Sequence, residues 1–368
     1  MKWIKKISIF AMILTLLCGC GQGDKTPEKL TADFMGPFDT QFRVIMYESD
    51  EAQFKEYVDY IQERFTYYNA LYDKYNDYDG VANVKTINDN AGVAPVVVED
   101  SLLNLIQMGI DDVQKYGGKV NVALGPVLEV WHTYRERNDG SVPSIEELQE
   151  KNQLADISKV KIDAENKTVY LEEKGMSLDV GATAKGYACE LIKQELIDMG
   201  INNFLISAGG NVISYGKRAV QAKETELSGY LPDCRDYYTV DIESPKDGAY
   251  ENINAITAIT LHGESVVTSG DYQRYFIGND GVQYHHLIDP DTLYPAHYCR
   301  SVTIITEDSG LADFLSSTTF LMPVDEGKAM IESLEGVEAV WLLNDGTITH
   351  TSGLVEGKNC HFYVQTVE

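Results

Sequence analysis

Between Val160 and Asn211 the chain spells out strand, acidic glycine turn, helix, strand and glycine turn, a succession that few architectures accommodate. Val160, Ile162, Val169 and Leu171 alternate around the turn-like Ala164-Glu165-Asn166-Lys167, which predicts a hairpin running toward Val180. It leads into Asp179-Val180-Gly181-Ala182-Thr183-Ala184-Lys185-Gly186, a carboxylate at a strand end followed by glycines that permit tight backbone paths. Ala188, Leu191, Ile192, Leu196 and Met199 then trace one helical face that ends at Gly200. The strand-like NFLIS follows, and Ala208-Gly209-Gly210-Asn211 closes the unit.

The flanking sequence extends this pattern without strict βαβ alternation. Phe54, Tyr57, Val58, Ile61, Phe65, Tyr68 and Tyr72 recur at three- and four-residue steps and predict a helix over 51–73, its aromatic stripe facing the core. A second helix is expected over 100–116, stopped by Gly117-Gly118. Residues 217–236 read as an insertion or long surface loop. Strand-like stretches resume at YYTVDIESP, AITAITL, SVVTSG, YFIG, GVQYHHLIDP and SVTIITE. A last helix carries Ala312 to Phe320, after which EAVWLLND and TITHTSG close the sheet. Mixed strands and helices with no internal repeat favour a single α+β domain.

The N-terminus begins with Lys2, Lys5 and Lys6, an apolar run too short for an easy membrane span, and Leu17-Cys18-Gly19-Cys20. The pattern reads as a signal peptide over residues 1–19. It resembles a bacterial lipobox, which would make Cys20 the lipidated first residue and 20–30 a polar tether; a plain cleaved signal is the alternative. The folded domain is expected over 31–368, on the extracytoplasmic face of the cell membrane. Removing residues 1–19 takes away three lysines and no acid, so the formal charge moves from −27 to −30. Such a chain has no basic face for nucleic acid, and membrane attachment would rest on acyl chains. Cys189, Cys234, Cys299 and Cys360 show no metal-like spacing.

Three clusters could carry chemistry. The turn at Asp179–Gly186 can offer backbone groups to a ligand and the Lys185 cation to a phosphate, or it can be a helix entry capped by Asp179 with Lys185 in solvent. In Tyr284-His285-His286-Leu287-Ile288-Asp289-Pro290-Asp291-Thr292, alternation points one histidine to the core and the other out. His286 then either meets a phosphate or a proton, or is structural. In Ala312-Asp313-Phe314-Leu315-Ser316-Ser317, Asp313 and Ser317 stand one helical turn apart. That is hard oxygen chemistry suited to magnesium, or an acid placed at a helix start for the dipole.

Together these segments resemble the ApbE-like FAD:protein FMN transferases, formerly described as thiamine biosynthesis lipoproteins, from about residue 33 to the C-terminus. The matching parts occur in the family's order: Met35-Gly36, VNVALGPVLEVWH, DVGATAKGY, SAGGN, VVTSGDYQRYF, HLIDPDT and ADFLSS. The resemblance implies a T-fold-like α+β domain with a mixed antiparallel sheet and packed helices. It implies that Met35, Lys119, Val120, Asn121, Asp179, Lys185 and His286 surround FAD. Magnesium would be held by the Ala182 carbonyl, Asp313 and Ser317, with Ser316 as a fourth contact. The implied reaction is Mg2+-dependent transfer of FMN from FAD to a Thr or Ser hydroxyl of an extracytoplasmic flavoprotein of an electron-transfer system, releasing AMP. His286 is the candidate for activating that hydroxyl, or for orienting it only.

The chain departs from the family pattern in five places. Asn121 and Ala123 stand where Asp and Thr are usual, His132 and Leu293 where Gly is usual, and Ser317 where Thr is usual. Serine keeps the hydroxyl. Asn121 removes a charge beside the flavin, and Leu293 lacks the glycine's freedom at positive φ. A flavin-holding lipoprotein and a magnesium-dependent FAD hydrolase are the competing readings.

Overall fold

The computed structural model describes residues 27–117, 119–218, 237–245, 255–354 and 363–364. The signal peptide, Cys20 and nearly all of the insertion at 217–236 lie outside the described residues, as do Cys234 and Cys360. The strands are β1 (Glu28–Met35), β2 (Gln41–Glu48), β3 (Val96–Val97), β4 (Val160–Asp163), β5 (Thr168–Leu171), β6 (Asn203–Ala208), β7 (Asn211–Gly216) and β8 (Tyr238–Glu243). They continue with β9 (Ala255–Leu261), β10 (Ser265–Gly270), β11 (Tyr275–Ile277), β12 (Gln283–His285), β13 (Ser301–Thr306), β14 (Glu338–Leu342), β15 (Ile348–His350) and β16 (Tyr363–Val364). The helices are α1 (Glu51–Tyr72), α2 (Val84–Asp89), α3 (Asp100–Tyr116), α4 (Gly125–Arg137), α5 (Ile145–Asn152), α6 (Ala184–Asp198), α7 (Ser309–Phe320) and α8 (Val324–Glu332). No helix among the described residues is long and apolar enough to cross a membrane.

An eight-stranded sheet in the order β1-β2-β6-β7-β10-β13-β14-β15 organises the chain. Every neighbouring pair in it is antiparallel, so the α+β class holds. Alternation along the strands sends Phe42, Val44 and Met46 into one core with α1, α3 and α6. Val267, Val302 and Ile304 meet α7 and α8 in a second core. The opposite face, with Tyr47, Leu205, Val212 and Val266, packs on β8 and β9. Burial on both faces explains why β13, SVTIIT, is buried at every position.

Local chemistry sets the helix ends. Asp50 caps α1 by accepting from Ala52 N at 2.8 Å, and the predicted stripe is buried at Phe54, Val58, Ile61, Phe65, Tyr68 and Tyr72. Each such burial is worth about 1.5–3 kcal/mol. Arg64 of α1 pairs with Glu195 of α6 at 2.7 Å, with Tyr60 and Tyr68 bonded to the same carboxylate. α3 ends at Gly117, whose φ is 99°.

Three expectations change. β1 pairs with β2 from Glu28 onward, so ordered structure starts inside the segment read as a tether. The 160–171 hairpin forms, Val160 opposite Leu171, but belongs to a separate sheet of order β3-β5-β4. Its second strand stops at Leu171, so Asp179 sits in a loop rather than at a strand end. β12 likewise ends at His285, leaving His286 just past the strand.

Candidate active site

α6 and α7 pack side by side, and the closest approach lies at Gly186. A Cβ there would stand 2.4 Å from both Asp313 Cβ and the Ser309 carbonyl, so only glycine allows the contact. The first backbone N–H groups of a helix have no partner within it. Gly186 N, in the first turn of α6, is satisfied by Asp313 Oδ2 at 2.7 Å. Glu190 makes a second tie, accepting from Ser309 N at 3.0 Å. These contacts join the acidic glycine turn to the ADFLSS segment, 127 residues later.

Asp313 is 7% exposed. Burial pushes its pKa up to about 6, opposed by Lys185, the Gly186 N–H and Asn211. Ser316 lies one turn on; its hydroxyl bonds to Ser269 of β10 at 2.8 Å and donates to the Asp313 carbonyl at 3.0 Å. Ser317 is 3.4 Å from the same Ser269 hydroxyl. Ala182 is half-buried immediately before α6 and packs beside the second core.

Lys185 is not a solvent-facing lysine. Its ammonium donates to the Gly209 carbonyl at 2.6 Å, and burial lowers its pKa despite the opposing field of Asp313. Gly209 has φ +52°, and a Cβ on it would fall 1.6 Å from Thr40 Oγ1, so the turn cannot take a larger residue.

Asp179 pairs with Lys74 at 2.8 Å and accepts from Gly181 N at 2.9 Å. Burial would raise its pKa, but Lys74 outweighs that and the net direction is down. Lys74 stands over the Tyr75 ring at 4.8 Å, and Tyr75 is 5.1 Å from His132. Sequence reasoning missed Lys74 and Tyr75, which lie beyond the last turn of α1 without a periodic pattern to mark them.

Other flavin candidates are engaged structurally. Lys119 bridges Asp289 at 3.2 Å and Asp291 at 2.6 Å, tying the 119–121 loop to the segment after β12. Val120 is buried in the second core, leaving its backbone as the part that could meet a ligand. Asn121 donates to the Ala155 carbonyl at 2.8 Å and accepts from Ala123 N at 2.8 Å. An Asp could not make the first bond, so the departure at 121 stabilises the loop. Met35 ends β1 and is 71% exposed.

The two histidines do not divide into one buried and one outward ring, because both are largely enclosed. His285 is buried, bonded to the Ala296 carbonyl at 2.7 Å, and burial lowers its pKa to about 4. His286 is half-buried, its Nδ1 has no partner among the described residues, and burial with nearby Arg274 lowers its pKa to about 3. The loop beyond is closed by Leu293 at φ +64°, keeping the left-handed geometry that a glycine would favour. That strain, about 1–2 kcal/mol, is offset by burial: Leu293 is 4% exposed in the cluster around Trp131, whose indole donates to the Leu293 carbonyl at 2.9 Å.

A groove of about 670 Å³ lies on the face of the sheet opposite α7, between β2, β6, β7 and β10 on one side and β8 on the other. It meets the site at Gly209, Gly210 and Thr268. Its size does not make it the chemical centre, because the buried carboxylate and lysine stand on the helix side of the sheet.

The α+β fold and the comparisons with known proteins together define an enzyme, a transferase by class. The ApbE family model matches residues 38–341, and the chain belongs to that family. An FAD:protein FMN transferase of Treponema pallidum is 32% identical over 276 residues, 73% of each chain. One from Klebsiella pneumoniae is 30% identical over 272 residues, 74% of this chain and 78% of its own. The crystal structure of the ApbE protein of Thermotoga maritima superposes with a TM-score of 0.75 at 26% identity, covering 89% of this chain and 98% of its own.

Proposed function

We propose that the chain transfers FMN from FAD to a Thr or Ser hydroxyl of an acceptor protein, using Mg2+. The supporting observation is the Gly186–Asp313 contact, which gathers a buried carboxylate, three serine hydroxyls and the Lys185 turn at one end of the sheet. The donor set fits magnesium: Asp313, the Ser317 hydroxyl and the Ala182 carbonyl are hard oxygen donors, with Ser316 alongside. A divalent ion would also supply the positive charge that a carboxyl with a pKa raised to about 6 by burial lacks. Bound there, it would withdraw charge from phosphate oxygens.

In this reading the acceptor hydroxyl oxygen attacks the FMN-side phosphorus. A phosphoester bond forms, the pyrophosphate bond breaks, and AMP leaves with the electron pair while the hydroxyl proton passes to solvent water. Lys185 neutralises phosphate charge, and catalysis comes mainly from positioning and electrostatics. With a pKa of about 3, His286 is neutral near pH 7 and a poor proton acceptor. In this reading it orients the hydroxyl, and taking up the proton once phosphate is bound is the alternative role.

The same reading places the protein on the extracytoplasmic face of the cell membrane, anchored through Cys20, with flavoproteins of electron-transfer systems as acceptors. A second reading has its own observation: Asp313 also caps α6, a task it could perform in a flavin carrier that transfers nothing. AMP release separates the two. Transfer predicts AMP only when FAD, magnesium and an acceptor are all present; AMP without acceptor would mean hydrolysis, and no AMP at all would support the carrier.

A further inference from the structure

β11 and β12 set Tyr275 opposite His285, so Arg274 and His286 form the next cross-strand pair, and His286 N donates to the Arg274 carbonyl at 3.1 Å. Opposed residues of an antiparallel pair share a face of the sheet. Phe276 and Tyr284 occupy that face too, stacked at 5.5 Å, with Trp131 of α4 stacked on Tyr284 at 5.6 Å. Arg135 follows Trp131 by one helical turn, which brings it to the same side of α4. Its Nη2 contacts His132 Nδ1 at 2.8 Å.

Arg274 thus flanks His286, the charge of Arg135 also acts on that ring, and the His286 Nδ1 is buried without a partner among the described residues. Arg274 also acts on the enclosed ammonium of Lys185. Acids outnumber bases 57 to 30 in this chain, yet neither Arg135 nor the exposed Arg274 has an ion pair among the described residues, as is also true of Arg137, whereas Arg43, Arg64 and Arg300 each do. Cations that repel one another around an enclosed lysine, in a protein rich in acids, are stabilised when an anion binds between them.

We infer that Arg274 and Arg135 form a phosphate-binding pair flanking His286 that takes the pyrophosphate of FAD. The inference rests on the flavin-transfer reading and adds to it: the phosphates are held from the β11–β12 hairpin and α4 as well as from Lys185. The hairpin's positive charge comes from the arginines, because His286 is neutral.

The test is a titration of FAD, followed by flavin fluorescence in the presence of chelator, into the chain from Gly21 onward, which retains every described element. Riboflavin, which lacks phosphates, is titrated in the same way, and ADP, which lacks the flavin, is titrated as a competitor that displaces bound FAD. Arg274→Gln and Arg135→Gln are each expected to weaken FAD and ADP binding about tenfold or more, the usual effect of losing a charge-assisted hydrogen bond. Riboflavin affinity should stay unchanged, and Arg274→Lys should recover part of the loss. Unchanged FAD and ADP affinity in both glutamine variants would overturn the pair, as would an equal loss for riboflavin. A wild-type chain that binds no FAD would overturn the flavin-transfer reading itself, and the pair with it.

Discussion

Replacing Asp313 separates its two tasks, because Asn and Ala fail in different ways. In Asp313→Ala the Gly186 N–H, now satisfied at 2.7 Å, is left buried without an acceptor. An unmet buried donor costs about 1–3 kcal/mol. In Asp313→Asn the side-chain carbonyl can still accept from Gly186, and the buried negative charge is gone. The carboxyl's pKa is raised from 3.8 to about 6, so the folded state holds the proton more tightly than the unfolded chain does. Above both values the ionised group therefore weighs against folding, by on the order of 2–3 kcal/mol in the absence of metal. Urea denaturation in chelator should show Asp313→Asn at least as stable as wild type and Asp313→Ala less stable. Magnesium at a hundredfold its Kd should stabilise the wild type by about 2.7 kcal/mol and neither variant. FMN transfer should vanish in both. A folded Asp313→Asn protein that keeps transfer at ordinary magnesium and keeps the magnesium-dependent stabilisation would refute the assignment.

Gly186→Ala forces a Cβ to 2.4 Å from Asp313 and the Ser309 carbonyl, and should cost about 1–3 kcal/mol by overpacking while abolishing transfer; an active protein of normal stability would contradict the helix contact. Leu293→Gly relieves a φ of +64° but empties the Trp131 cluster, so a net loss of about 1–3 kcal/mol is expected by denaturant unfolding; a gain would show that strain outweighs packing. His285 and His286, lowered to about 4 and 3, should both stay neutral down to pH 5 by NMR of the imidazole carbons. The unfolded chain takes up those protons from about pH 6.5 downward, so each histidine subtracts stability as pH falls below that value. Either of these two resonances titrating near pH 6.5 would show the site to be open. Cys20→Ser should move the protein out of the membrane fraction, and unchanged partition would leave the lipid anchor without support.

Features governed by short-range periodicity were readable from the sequence. The α1 stripe, the 160–171 hairpin, the α6 face up to Leu196 and the β10 and β13 segments follow from side-chain spacing along one element, whereas Met199, expected on the α6 face, is exposed at the C-cap. Strand order was not, because β2 pairs with β6 and β7 with β10 across long intervening segments whose closure no local pattern encodes. α4 is hard to read because Gly125-Pro126 at its start looks like a turn, and Val127, Val130 and Trp131 give it only a short apolar face.

At the site, residue types pointed to the chemistry, whereas partnerships needed three dimensions. Gly186 carries the available signal: a glycine in the first turn of a helix marks a close approach, here to Asp313. Nothing in sequence linked Lys74 to Asp179, or set Arg274 opposite His286. Asn121 and Leu293, which read as losses, prove to be local solutions: an amide that donates where a carboxylate could not, and a strained leucine held by the tryptophan cluster.

The most direct test of the account is the mass of the acceptor. The chain from Gly21 onward is incubated with FAD, magnesium and a protein domain bearing a candidate Thr- or Ser-containing acceptor segment, and the intact acceptor is weighed. A gain of one FMN moiety, absent with chelator and absent when the acceptor hydroxyl is replaced, is the predicted result. An acceptor of unchanged mass beside intact, bound FAD would contradict transfer and leave a flavin-holding protein in its place.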